Sequence, residues 1–117
     1  MIEEDLETLL KVAGEKPYQA PDYSIKRRRL TKRLRDIFAI YFGKNSNLII
    51  KLLTSKKGFT PSDQLLKYSS KAFEDALNAI IATCDSVAKL DEYKKKELKR
   101  DILKAAIEIK TNQLNSK

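Results

Sequence analysis

Apolar residues in this chain recur at intervals of three and four, the spacing that gathers them on one side of an α-helix. The clearest stretch is 24–42, SIKRRRLTKRLRDIFAIYF, where Leu30, Leu34, Ile37, Phe38 and Tyr41 form one stripe. Arg28, Lys32, Arg35 and Ala39 fall on the opposite face, and Arg29 and Arg33 lie on the flank between the two. The pattern predicts a central helix, capped by Asp22 or Ser24. Gly43 follows it, at the place where a left-handed residue commonly ends a helix.

The same periodicity predicts helices on either side. Ile2, Leu6, Leu9, Leu10 and Ala13 share a side of a short first helix ending at Gly14, and Glu3, Glu4 and Asp5 complement its positive end without any need for a metal. Residues 15–23, EKPYQAPDY, contain two of the three prolines and read as an extended linker, with Tyr18 and Tyr23 packing over the bundle or offering faces to bases. After the short GKNSN connection, Leu48, Ile49, Leu52 and Leu53 predict a third helix running to Gly58. Thr60 and Pro61 with Asp63 mark the start of a fourth over 61–68. A longer helix from about 70 to 84 carries Phe73, Leu77, Ile80, Ile81 and Cys84, with Ala72, Ala76 and Ala79 suited to close packing. Asp85 and Ser86 read as its end. Asp91 caps a last helix reaching about Leu114, with Leu98, Ile102, Ala105 and Ile109 as its stripe. The expectation is an all-α fold, a compact bundle of about five to six helices in one domain of 117 residues.

Composition sharpens this picture. Only 3 glycines and 3 prolines interrupt a chain that is 42% hydrophobic, which favours helices and a packed core. No apolar run reaches the roughly 18 residues a membrane span needs, so a cytoplasmic protein is expected. Cys84, the only cysteine, cannot close an internal disulfide and reads as a small core residue. The absence of histidine removes the commonest metal ligand and general base, which excludes a Ser-His-Asp site.

Charge changes it more. Lysine and arginine total 24 against 16 acids, and seven of those cations fall within 26–35, a segment with no acid. Without them the balance is 17 to 16, so the net +8 is nearly all local. A purely solvated face interleaves signs to limit repulsion, as Glu92, Glu97 and Asp101 do among the lysines of the last helix. The central helix does not. Five of its seven cations are arginines, whose planar forks suit phosphates and base edges. Lys26, Arg27, Arg28, Arg29, Lys32, Arg33 and Arg35 are therefore the candidate nucleic-acid-binding residues, and no positioned nucleophile, acid or base points to an independent enzyme. At the corner after the central helix, Tyr41, Lys44, Asn45 and Asn47 bring an aromatic face, a cation and two amides to a helix N-terminus. They describe a capped turn or a seat for a phosphate or nucleotide.

A basic helix ending in Tyr41, Phe42 and Gly43, a Lys-Asn-Ser-Asn turn, and a later helix ending IIATCDS before a Lys-rich one resemble the helix-bundle domain that follows the catalytic domain of archaeal plasmid primase-polymerases. The resemblance implies a non-catalytic fragment of a larger replication protein. Such a module binds single-stranded template DNA and nucleoside triphosphates, ATP or another, with magnesium as a companion ion, and helps the catalytic domain of the same protein to begin a primer. On this sequence the template role falls to the seven basic residues and the nucleotide role to Tyr41, Lys44, Asn45 and Asn47. Alternatives are a helix-turn-helix-like regulator that binds duplex DNA, and a protein-interaction bundle whose basic helix docks on an acidic partner.

Overall fold

A computed structural model describes residues 6–14, 21–55, 60–68 and 70–111. They form an all-α bundle of six α-helices and one 3₁₀ turn. The helices are α1 (Leu6–Ala13), α2 (Tyr23–Phe42), α3 (Ser46–Thr54), α4 (Pro61–Lys67), α5 (Ser70–Ala88) and α6 (Glu92–Thr111). Gly43–Asn45 is the 3₁₀ turn between α2 and α3. The acids at 3–5, Tyr18, Gly58 and Leu114 lie outside the described residues.

The two 20-residue helices, α2 and α6, pack on each other most extensively. Leu30, Leu34, Phe38 and Phe42 of α2 meet Leu98, Ile102, Leu103, Ala105, Ala106 and Ile109 of α6 in one core. Ile37 and Tyr41 are half-buried at its margin. The helix α5 adds Phe73, Leu77, Ile80, Ile81 and Cys84, while α1 lies across α5 and α6. The short α3 and α4 fill the space between α2 and α5. No helix among the described residues is long and apolar enough to cross a membrane.

Asp22 and Thr60 stand at the N-cap positions of α2 and α4 but make no side-chain cap hydrogen bond; other helix ends follow local chemistry, with two further departures from the expected pattern. Asp91 caps α6, accepting the Lys94 amide at Oδ1 over 2.7 Å, and Gly43 takes φ +57°, which costs glycine little. Asp85 does not end α5. The helix runs on to Ala88 and turns through Lys89 at φ +54°, with Asp85 Oδ1 accepting the Leu90 amide at 2.7 Å. Asp85 thus anchors the turn from within the last turn of the helix. The second departure is in helix phase. In α3, Ser46, Ile49 and Leu53 are buried while Leu48 and Leu52 are exposed, and in α5 only Ala76 of the three alanines is buried.

Candidate nucleic-acid interface

The register of α2 is fixed by its apolar stripe, and that register decides where each cation goes. Leu30, Leu34 and Phe38 point inward, so Arg28, Lys32 and Arg35, about half a turn away, point outward and are exposed. Arg29 is exposed on the adjoining flank. No carboxylate lies within ion-pair distance of Arg28, Arg29 or Arg35 among the described residues. Lys32 reaches Asp36 one turn along at 3.6 Å, an exposed i,i+4 pair worth a few tenths of a kcal/mol at most.

The other three cations are committed elsewhere. Arg27 faces Asp63 of α4 at 3.8 Å, and Arg33 donates to Glu108 Oε1 of α6 at 2.8 Å. Lys26 is 3% exposed, and its ammonium donates to the Lys110 carbonyl at 3.0 Å, near the carbonyl-rich end of α6. It belongs to the packing of helix ends and does not stand on the cationic face.

Beside that face lies a concave surface with two compartments. A groove of about 320 Å³ is lined by Arg27, Arg28, Thr31, Lys32, Arg35 and Thr60. A deeper cavity of about 190 Å³ adjoins it, with Leu34, Phe38, Ile50 and Pro61 as apolar lining. Thr31, Arg35 and Thr60 form the wall common to both. No acidic residue among the described residues lines either compartment. Thr31 bonds the buried Ser62 hydroxyl and donates to the Arg27 carbonyl at 2.9 Å, which pins α4 against α2. Nearby, Tyr23 donates its hydroxyl to Asp63, and Lys67 sits 5.8 Å above its ring. Burial, followed by that hydrogen bond, pushes the phenol up to about 12. Tyr23 therefore packs between α2 and α4.

The four residues at the corner are placed differently. Lys44, Asn45 and Asn47 are exposed together around the 3₁₀ turn, on an open surface where a side chain built on Gly43 would meet nothing within 4 Å. Tyr41 turns its hydroxyl to Asp101 Oδ2 of α6 at 2.7 Å, and burial then that bond raise its pKa. Because the 3₁₀ turn runs straight into α3, the Ser46 amide donates to the Gly43 carbonyl, which uses one of the amides expected to face a ligand. One cation and two side-chain amides remain, a set that fits a phosphate contact but not an enclosed nucleotide. None of the four lines the cavity beside the arginines. No group of three His, Cys, Asp or Glu among the described residues is placed to hold a metal ion.

Sequence reasoning did not single out Thr31, Ile50, Thr54 or Ser62. The signal for them is weak, because small hydroxyl residues and one isoleucine from three separate helices carry no spacing that joins them. No protein-family model matches the chain, and neither a curated protein nor a solved structure is significantly similar to it.

Proposed function

We propose that this bundle is a non-catalytic nucleic-acid-binding module that holds single-stranded template DNA on α2, as the accessory domain of a primase-polymerase would. The observation that carries the reading is the groove bordered by Arg28, Lys32 and Arg35, which no acid among the described residues lines. Three exposed cations over two turns of one rigid helix match a phosphate backbone, and release of its counterions favours association. Arg29 extends the cationic surface along the flank, and Arg27 sits at the groove's edge. Lys44, Asn45 and Asn47 are the proposed contacts for the phosphates of a nucleoside triphosphate, which the module would hold near the template for the catalytic domain of the same protein.

The test is fluorescence anisotropy with labelled single-stranded and duplex oligonucleotides over a salt series, with and without ATP and magnesium. The accessory-module reading expects tighter binding to single strands and a gain in affinity when ATP is added. Duplex preference with indifference to ATP would support a regulator instead. No binding to any nucleic acid at low salt would leave the protein-docking alternative.

A further inference from the structure

We propose that the apolar cavity between α2, α3 and α4 seats one unstacked base of the bound strand, while Arg28, Lys32 and Arg35 hold the phosphates beside it. The inference rests on the nucleic-acid reading above and adds to it the place where a base is held.

Size is the first argument. At about 190 Å³ the cavity falls short of the roughly 300 Å³ at which pockets for whole drug-sized ligands begin, so it takes one flat ring system and not a complete nucleotide. The sugar and phosphate must then lie outside, and the adjoining groove supplies the cations for them. Lining chemistry is the second. Ile50 and Pro61 give the accessible apolar surface for the face of a base, backed by the buried Leu34 and Phe38, and Arg35 stands in the shared wall, where its guanidinium can meet a phosphate or lie against the ring.

The cavity wall also carries the hydroxyls of Thr31, Thr54, Thr60 and Ser62. Ser62 donates to Thr31, whose own proton goes to the Arg27 carbonyl, and Thr54 donates to the Ile50 carbonyl at 2.9 Å. Thr60 Oγ1 is shielded from water and has no hydrogen-bond partner among the described residues. A buried hydroxyl left unpaired is costly, and because Thr60 lines both compartments, a donor or acceptor on the edge of an occupant is the partner proposed for it. The consequence is a strand preference: a base paired and stacked within a duplex cannot enter, whereas an unpaired one enters at little cost.

The test uses the whole chain and an oligonucleotide carrying a fluorescent adenine analogue, with the Ile50 methyl resonances followed by NMR. Thr54 is exposed at the rim of the cavity, so Thr54→Phe fills the space from outside the core. Expected results are a shift of the Ile50 methyls and altered analogue fluorescence on binding to the natural protein. Thr54→Phe should lose about tenfold in single-strand affinity, the scale of one base contact, with duplex affinity and salt slope unchanged. Thr60→Val, which keeps the shape and removes the hydroxyl, should lose about threefold to tenfold, the scale of one hydrogen bond, and it stands as the test if Thr54→Phe fails to fold. Full affinity in both variants with undisturbed Ile50 methyls overturns the base seat and leaves the nucleic-acid reading intact. Movement of the same methyls by free ATP, uncompeted by the strand, also overturns it. Failure of the natural protein to bind any nucleic acid removes both.

Discussion

At the scale of single residues, burial decides which side chains stabilise the bundle and which are free to act. Phe38 is 1% exposed within the core between α2 and its neighbours. Phe38→Ala should destabilise the fold by about 3 to 5 kcal/mol, the usual cost of such a cavity, read from the denaturant midpoint. Because Phe38 also lines the apolar cavity, this variant cannot separate folding from binding, whereas the rim residue Thr54 can. Cys84 is fully buried in α5, and burial pushes its thiol up to about 12. A thiol held protonated and shielded is inert. Cys84 should therefore resist a thiol reagent in the folded protein and react once denaturant unfolds it, and rapid native-state labelling would show that α5 opens locally.

At the scale of elements, legibility tracks length. The phase of α2 was readable because its 20 residues hold more than five turns, so Leu30, Leu34 and Phe38 fix the inward direction and with it the exposure of Arg28 and Arg35. The nine residues of α3 contain too few turns for that. Its direction is set by the corner at Gly43, which buries Ser46 and leaves Leu48 and Leu52 outside. Lys26 looked like any other cation of its run because its acceptor, the Lys110 carbonyl, lies 84 residues away. The concave site was illegible for the same reason, since Ile50, Thr54 and Thr60 meet Arg35 only through packing of α3 and α4 on α2. What the sequence did carry is the acid-free arginine face. Arg28→Ala with Arg35→Ala should lower the salt slope of binding by about 1 to 2 units, one phosphate per residue, without unfolding the domain. An unchanged slope would place both outside the interface. The end of α5 offers a separate check on stability. Lys89 stands at φ +54°, a left-handed conformation that costs a residue with a Cβ about 1 kcal/mol or more relative to glycine. Lys89→Gly should raise stability by about 1 kcal/mol, visible in the denaturant midpoint.

At the scale of the whole molecule, lysines tie α1 and α2 to α6, and the tie predicts how stability varies with pH. Lys110 of α6 donates to the Ala13 carbonyl at the end of α1 and lies 5.2 Å over the Phe73 ring of α5, while its own carbonyl accepts from Lys26. Burial among these groups pushes the Lys110 ammonium down from 10.5 to about 8. Between those two pH values the unfolded chain binds the proton more tightly than the folded one, so stability rises as pH climbs through that window. Tyr23 works in the opposite sense. Its pKa rises from 10 to about 12 in the folded state, so its contribution is complete below pH 10 and is lost as pH rises towards 12. The raised pKa of Tyr41 acts in the same direction. Denaturation measured from pH 7 to pH 11 should therefore show stability increasing above about pH 8, a maximum near pH 10, and a decline beyond it. Partial discharge of a molecule of net charge +8 also favours compactness as pH rises, and Lys110→Met separates the two causes. The variant should lose most of the rise between pH 8 and pH 10 while keeping the decline above it. A rise that survives the substitution would assign it to general charge and not to Lys110.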